Sequence, residues 1–188
     1  IETKNVSELQ VMASSGRITI DGQELNDTDT RLGRRLKKTE GKWAFASTAA
    51  DPSLRKSPGL TGPIDDAFMD TFVFVRPSGK PLNPELGTWV ESELTAARHL
   101  WRDVFRGDTP VVADTALTDA DLATKNLILW GDPTSNQVLA KLLATGKLPL
   151  TWDAKTLTFR GQTYASAHHA PILIFPNPLN PSRYVVLN

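Results

Sequence analysis

The sequence predicts an α/β chain, with α+β as the alternative. It divides into a small antiparallel β unit over residues 1–50, a linker over 51–63, and a three-layer mixed sheet with flanking helices over 64–188. Three observations predict this. The segments TFVFV (71–75) and LILW (127–130) are apolar without polar alternation, as in strands buried on both faces. From residue 71 onward, strand-like and helix-like segments alternate, which argues for crossover connections in an α/β layer. Before residue 50, short β-like runs flank turn dipeptides.

Taken in order, Val6, Leu9 and Val11 have β-type spacing, and RITIDGQEL forms a hairpin about Asp21-Gly22. LKKTEGKWAF repeats the pattern about Glu40-Gly41. Residues 47–63 are rich in small, polar, Pro and Gly residues, as in a linker. TFVFV follows and is ended by Pro77, Gly79 and Pro81. Residues 86–105 form the longest predicted helix. Trp89 or Val90, Leu94, Ala97, Trp101 and Val104 share one stripe, and Gly107 stops it. TDADLATKN opens on a Thr118 cap with Asp121 three residues on, a capping-box start. A strand over 127–130, a helix over 135–145 ended by Gly146, and β-rich segments LPLTW, TLTFRGQTY, PILIF and YVVL complete the chain. The parallel-type strands and late hairpin give the layer a flavodoxin-like character.

The chain has 188 residues, long enough to bury a sizeable core. Lys+Arg 21 balances Asp+Glu 21, so no net positive field favours nucleic acid or an anionic membrane. The basic run Arg31, Arg34, Arg35, Lys37, Lys38 reads as a solvated strand face or loop rather than a polyanion site. The absence of Cys excludes disulfides, thiolate catalysis and Cys-based zinc sites. No apolar run is long enough to span a bilayer as a helix. The chain opens on IETKNV without Met and stops on YVVLN. Both ends read as cuts in a longer chain, so the lack of a targeting signal carries no weight.

Four segments are candidates for chemistry. GDPTSN follows LILW as a strand–turn–helix, the place where phosphate loops and nucleophile elbows occur. It lacks the glycines and Lys of a phosphate loop and the Gly-x-Ser-x-Gly of an elbow. Helix capping by Asp132, Thr134 and Ser135, with Pro133 early in the helix, is preferred over a weak anion site at the helix N-terminus. Asp65-Asp66, with Asp70 nearby, reads as a turn or helix start rather than an acid–base or metal pair, since neighbouring strand residues face opposite ways. His168-His169 has no metal partners at the required spacing. PNPLNPSRY reads as a rigid loop presenting Asn177, Asn180 and Arg183. Of five Trp, Trp89 and Trp101 fit the helix stripe, while Trp43, Trp130 and Trp152 stay open.

Together, GLTGPIDDAFMDTFVFVRPSGKP, ADTALTDADLATKNLILWGDPTSN and HAPILIFPNPLNPSRYVVLN are distinctive. They resemble the non-catalytic region behind the α/β-hydrolase domain of bacterial prolyl-oligopeptidase-like or esterase-like proteins, mostly exported ones. The resemblance covers about residues 57–188. It implies a nucleophile elsewhere in the polypeptide, a hydrolase domain as intramolecular partner and a periplasmic or secreted location; from the residues themselves no cofactor or metal is expected. It supplies no catalytic residue here.

The leading expectation is therefore an accessory domain for packing or substrate presentation. Its ligand-binding candidates are Arg76, Asp132, Ser135, Asn136 and Asn177, brought together at the carboxyl ends of strands if these run parallel, with His168 and His169 besides. Two alternatives stand beside it. One is a self-contained hydrolase using His168 or His169 with Asp65 or Asp66. The other is a carbohydrate-binding module using Trp43 or Trp152.

Overall fold

The computed structural model describes residues 1–12, 16–27, 33–46, 54, 56 and 59–188. Residues 51–53, 55, 57 and 58 of the expected linker lie outside these residues, as does Arg31. The chain forms two compact units, Ile1–Asp51 and Pro52–Asn188. It is β-rich: 36% of the described residues are in strands against 26% in helices.

The first unit holds β1 (Glu8–Val11), β2 (Gly16–Ile20), β3 (Gln23–Asp27), β4 (Arg34–Thr39) and β5 (Lys42–Phe45). β2 and β3 make a hairpin, and β1-β4-β5 make an antiparallel sheet. Both tight turns have the dipeptides and the two positive φ angles of type I′ turns: Asp21-Gly22 (47° and 78°) and Glu40-Gly41 (51° and 80°). Ile18, Ile20, Leu36 and Trp43 form the core. Of the basic run, Arg34, Arg35, Lys37 and Lys38 lie on β4, where they alternate between its two faces, and of these only Lys37 is exposed. Leu36 points inward, Arg35 meets Glu8 at 3.3 Å, and Lys38 meets Asp21 at 2.8 Å. Asp21 ties the two sheets together. It also accepts from the Thr3 backbone and hydroxyl, each at 2.7 Å, and from the Trp43 indole at 2.8 Å.

The second unit contains β6 (Phe72–Arg76), α1 (Pro84–Phe105), β7 (Val111–Ala113), α2 (Asp119–Thr124), β8 (Asn126–Leu129), α3 (Gln137–Ala144), β9 (Leu150–Trp152), β10 (Thr156–Phe159), β11 (Gln162–Ala165), β12 (Leu173–Asn177) and β13 (Asn180–Leu187). Short 3-10 turns span Ile64–Phe68 and Asp114–Ala116. The main sheet is mixed, in the order β12-β13-β8-β6-β7, and β9, β10 and β11 form a smaller antiparallel sheet. β7, β6, β8 and β13 run parallel, while β12 pairs antiparallel with β13.

Alternation along these strands explains why they read as continuous apolar runs. Phe72, Phe74, Ile128, Trp130, Tyr184 and Val186 pack with Val90 and Leu94 of α1 on one face. Val73, Val75, Leu127, Leu129, Val185 and Leu187 pack with Val138, Leu139 and Leu142 of α3 on the other. Each such aliphatic side chain contributes about 1.5–3 kcal/mol on full burial.

Several boundaries differ from expectation. Asn83 caps α1, accepting from the Leu86 amide, and Arg106 in the left-handed region (φ 60°) ends it, one residue before Gly107. Val90 takes the buried stripe position, leaving Trp89 42% exposed. Trp101 packs at 4.8 Å from the Phe72 ring. α2 has the full Thr118–Asp121 capping box. The PNPLNPSRY segment is mostly strand: it forms the β12–β13 hairpin, with an irregularity at Pro176/Asn177.

Candidate functional site

Numbering the four parallel strands by chain order gives 2-1-3-4 across the sheet, so the chain reverses direction between β6 and β8. The crevice outside the carboxyl ends at such a reversal is where open sheets hold ligands. A groove of about 520 Å³ lies there, lined by Pro77, Gly79, Pro81, Gly87, Glu91 and Asp132 among others. Arg76 stands at the end of β6. Its Nε is 3.2 Å from Glu91 of α1, and both side chains are about half exposed.

Two glycines let the walls meet. The Gly79 amide donates to the Ser135 carbonyl at 2.8 Å. A Cβ on Gly79 would lie 2.8 Å from the Thr134 carbonyl. Gly131 has φ +96°, and a Cβ there would lie 2.7 Å from Ser135 Oγ. The 77–82 loop and the 131–135 turn are thus held backbone against backbone.

Every polar side chain of GDPTSN is committed to this construction. Asp132, fully buried, accepts from the amides of Leu82 (3.0 Å), Thr134 (2.8 Å) and Ser135 (3.1 Å), and from the Thr134 hydroxyl (2.7 Å). The Thr134 hydroxyl also reaches the Lys80 carbonyl at 2.9 Å. Ser135 Oγ accepts from the Asp132 amide at 3.0 Å and donates to the Asp132 carbonyl at 3.2 Å. Asn136, also fully buried, donates to the carbonyls ending β6 and β8, Val75 (3.2 Å) and Trp130 (2.9 Å).

Asn136 is also the cap of α3, accepting from the amides of Val138 and Leu139. This corrects the expected cap. α3 begins at Gln137, and Asp132, Pro133, Thr134 and Ser135 form a separate turn before it. The remaining first-turn amide, Gln137, donates to Asp114 at 2.7 Å. Asp114 is 4% exposed and comes from the end of β7. An anion at a helix N-terminus is favourable because free amides and the dipole converge there. Here the protein supplies its own carboxylate, so no first-turn amide is left for a phosphate. Asp114 was not singled out in the sequence, since its partner lies 23 residues away in another element.

The other predicted residues lie elsewhere. Because β12 is antiparallel, Asn177 sits opposite Asn180 at the amino end of β13, away from Arg76 and Asp132. Its side chain accepts from the Leu179 amide at 2.9 Å. Asp65 and Asp66 lie in the 3-10 turn before β6, where Asp66 accepts from the Tyr184 hydroxyl and Tyr184 in turn accepts from the Gly62 amide at 2.9 Å. Burial, reinforced by Asp66, pushes the Tyr184 phenol up. Asp70 accepts from the Thr71 amide and from Arg183 at 2.5 Å, which hold its carboxyl below the usual range. His168 and His169 follow β11, and His169 Nδ1 meets the Ala165 carbonyl at 3.1 Å.

Among the described residues, no hydrogen bond joins a histidine to a serine or a carboxylate. Among the same described residues, no group of three His, Asp or Glu could hold a metal, and no helix is long and apolar enough to cross a membrane. Trp43 and Trp152 are 2% and 7% exposed, too buried to serve as a sugar platform. Compared with family models, curated proteins and solved structures, the chain matches none of them.

Proposed function

We propose that the chain is a non-catalytic accessory module of a larger, exported serine hydrolase. It packs against the hydrolase domain of the same polypeptide and offers the groove at the β6–β8 reversal for substrate presentation. The observation that carries the non-catalytic part is the committed state of Asp132, Ser135 and Asn136, whose hydrogen bonds go to backbone groups and to the Thr134 hydroxyl. A serine nucleophile needs a base within hydrogen-bond reach and that base needs an orienting partner. Ser135 has neither among the described residues. The hydrolase context rests on the resemblance of the three quoted strings. The flavodoxin-like reading of 64–188 rests on the parallel order and the helices on both faces.

A panel of p-nitrophenyl esters and peptides on the purified chain tests this reading. No turnover above the uncatalysed rate is expected. Turnover that disappears in a folded His168→Ala or His169→Ala variant would replace it with the self-contained hydrolase.

A further inference from the structure

A second concavity, of about 240 Å³, lies between the β10–β11 hairpin and residues 169–173, remote in sequence from the GDPTSN groove. Leu157, Leu173 and Ile172 supply apolar surface to it, with the rings of Phe159, Tyr164 and His169. Ile172 is 70% exposed and Tyr164 36%. Apolar surface of this kind lines most small-molecule sites, with a few fixed polar groups setting orientation.

The polar groups here are fixed yet free, unlike those after β8. The Tyr164 and His169 rings lie 5.1 Å apart. Tyr164 donates its hydroxyl proton to Gln162 Oε1 at 2.5 Å. In a neutral ring, the contact of His169 Nδ1 with the Ala165 carbonyl places the proton on Nδ1, leaving Nε2 as an acceptor. The Arg160 guanidinium stacks 5.2 Å from the centre of the Phe159 ring, and no carboxylate among the described residues pairs with it. Arg160 is not itself a lining residue, but the ring it stacks on is. An unpaired guanidinium held on a ring that lines an apolar pocket suits a carboxylate, whose two oxygens match its fork of donors.

The geometry points to a binding site for a small carboxylate carrying a compact apolar group: the apolar group enters between Tyr164, Ile172 and Leu173, and the anionic end meets Arg160. The site is independent of the accessory reading above.

The test is an amide NMR titration of the full chain with 3-phenylpropanoate. The controls are 3-phenylpropanamide, which lacks the charge, and propanoate, which lacks the ring. Saturable shifts confined to Phe159, Tyr164, Ile172 and their neighbours are expected with the first probe. Each control should bind about tenfold more weakly, the order supplied by one charge-assisted contact or one buried ring. Arg160→Asn preserves the fold, because Asn-Gly is the preferred occupant of a two-residue type I′ turn. That variant should lose about tenfold in affinity for the carboxylate and nothing for the amide. No saturable shift at millimolar probe, equal binding of acid and amide, or full affinity in Arg160→Asn would each overturn the assignment.

Discussion

The groove after β8 and the pocket beneath the β10–β11 hairpin differ in what their polar groups are bonded to. At the groove and the helix start behind it, Asp114, Asp132, Ser135 and Asn136 are buried and bond mainly to backbone groups. At the hairpin, Arg160 and His169 are exposed and keep part of their hydrogen-bonding capacity. The segment that most resembles a chemical motif is thus the one whose polar side chains are all engaged within the protein. The amides of this turn and of the helix after it are already bonded to Asp132 and Asn136.

The largest test of this difference is Asn136→Ala. It strands two amides and two strand-end carbonyls in a fully buried place, and should cost about 3 kcal/mol or more in denaturant unfolding. A loss below about 1 kcal/mol would mean that these bonds matter little. Asp132→Asn sharpens the comparison further. The amide nitrogen cannot accept, so part of the link to Leu82 or Thr134 is lost, at about 2 kcal/mol. Hydrogen exchange at Leu82 and Thr134 should quicken together in that variant.

Asp21 offers the exposed counterpart to Asp132. Its partners are side chains as much as backbone, and Lys38 is the first cause that holds its carboxyl far below the usual range, followed by Thr3 and Trp43. A carboxylate with a lowered folded pKa stabilises the fold above its unfolded pKa of about 3.9. That stabilisation is lost as pH falls through the lowered value. Melting of the first unit should therefore be flat above about pH 4 and fall below it, and Asp21→Asn should remove much of the fall. An unchanged acid limb in the variant would show that Asp21 does not link the two sheets.

Much of the fold was legible where its cause is local. Asp21-Gly22 and Glu40-Gly41 adopt paired positive φ angles at the turns expected there. Thr118 and Asp121 close the expected box, and Phe72 to Val75 are buried on both faces. What stayed hidden depends on distant partners. β7 is three residues long, too short for periodicity to register. The direction of β12, which carries Asn177 to the other end of the sheet, is written in no local pattern. The cap moved from Asp132 to Asn136 because Asp132 is drawn to Leu82, 50 residues earlier.

The most direct measurement is intact-mass analysis of the chain after exposure to a fluorophosphonate, which labels activated serines. The expected result is no adduct on the folded protein, since Ser135 Oγ exchanges hydrogen bonds only with Asp132. A stoichiometric adduct at Ser135, absent in a folded Ser135→Ala variant, would contradict the view that these groups hold the backbone and nothing else.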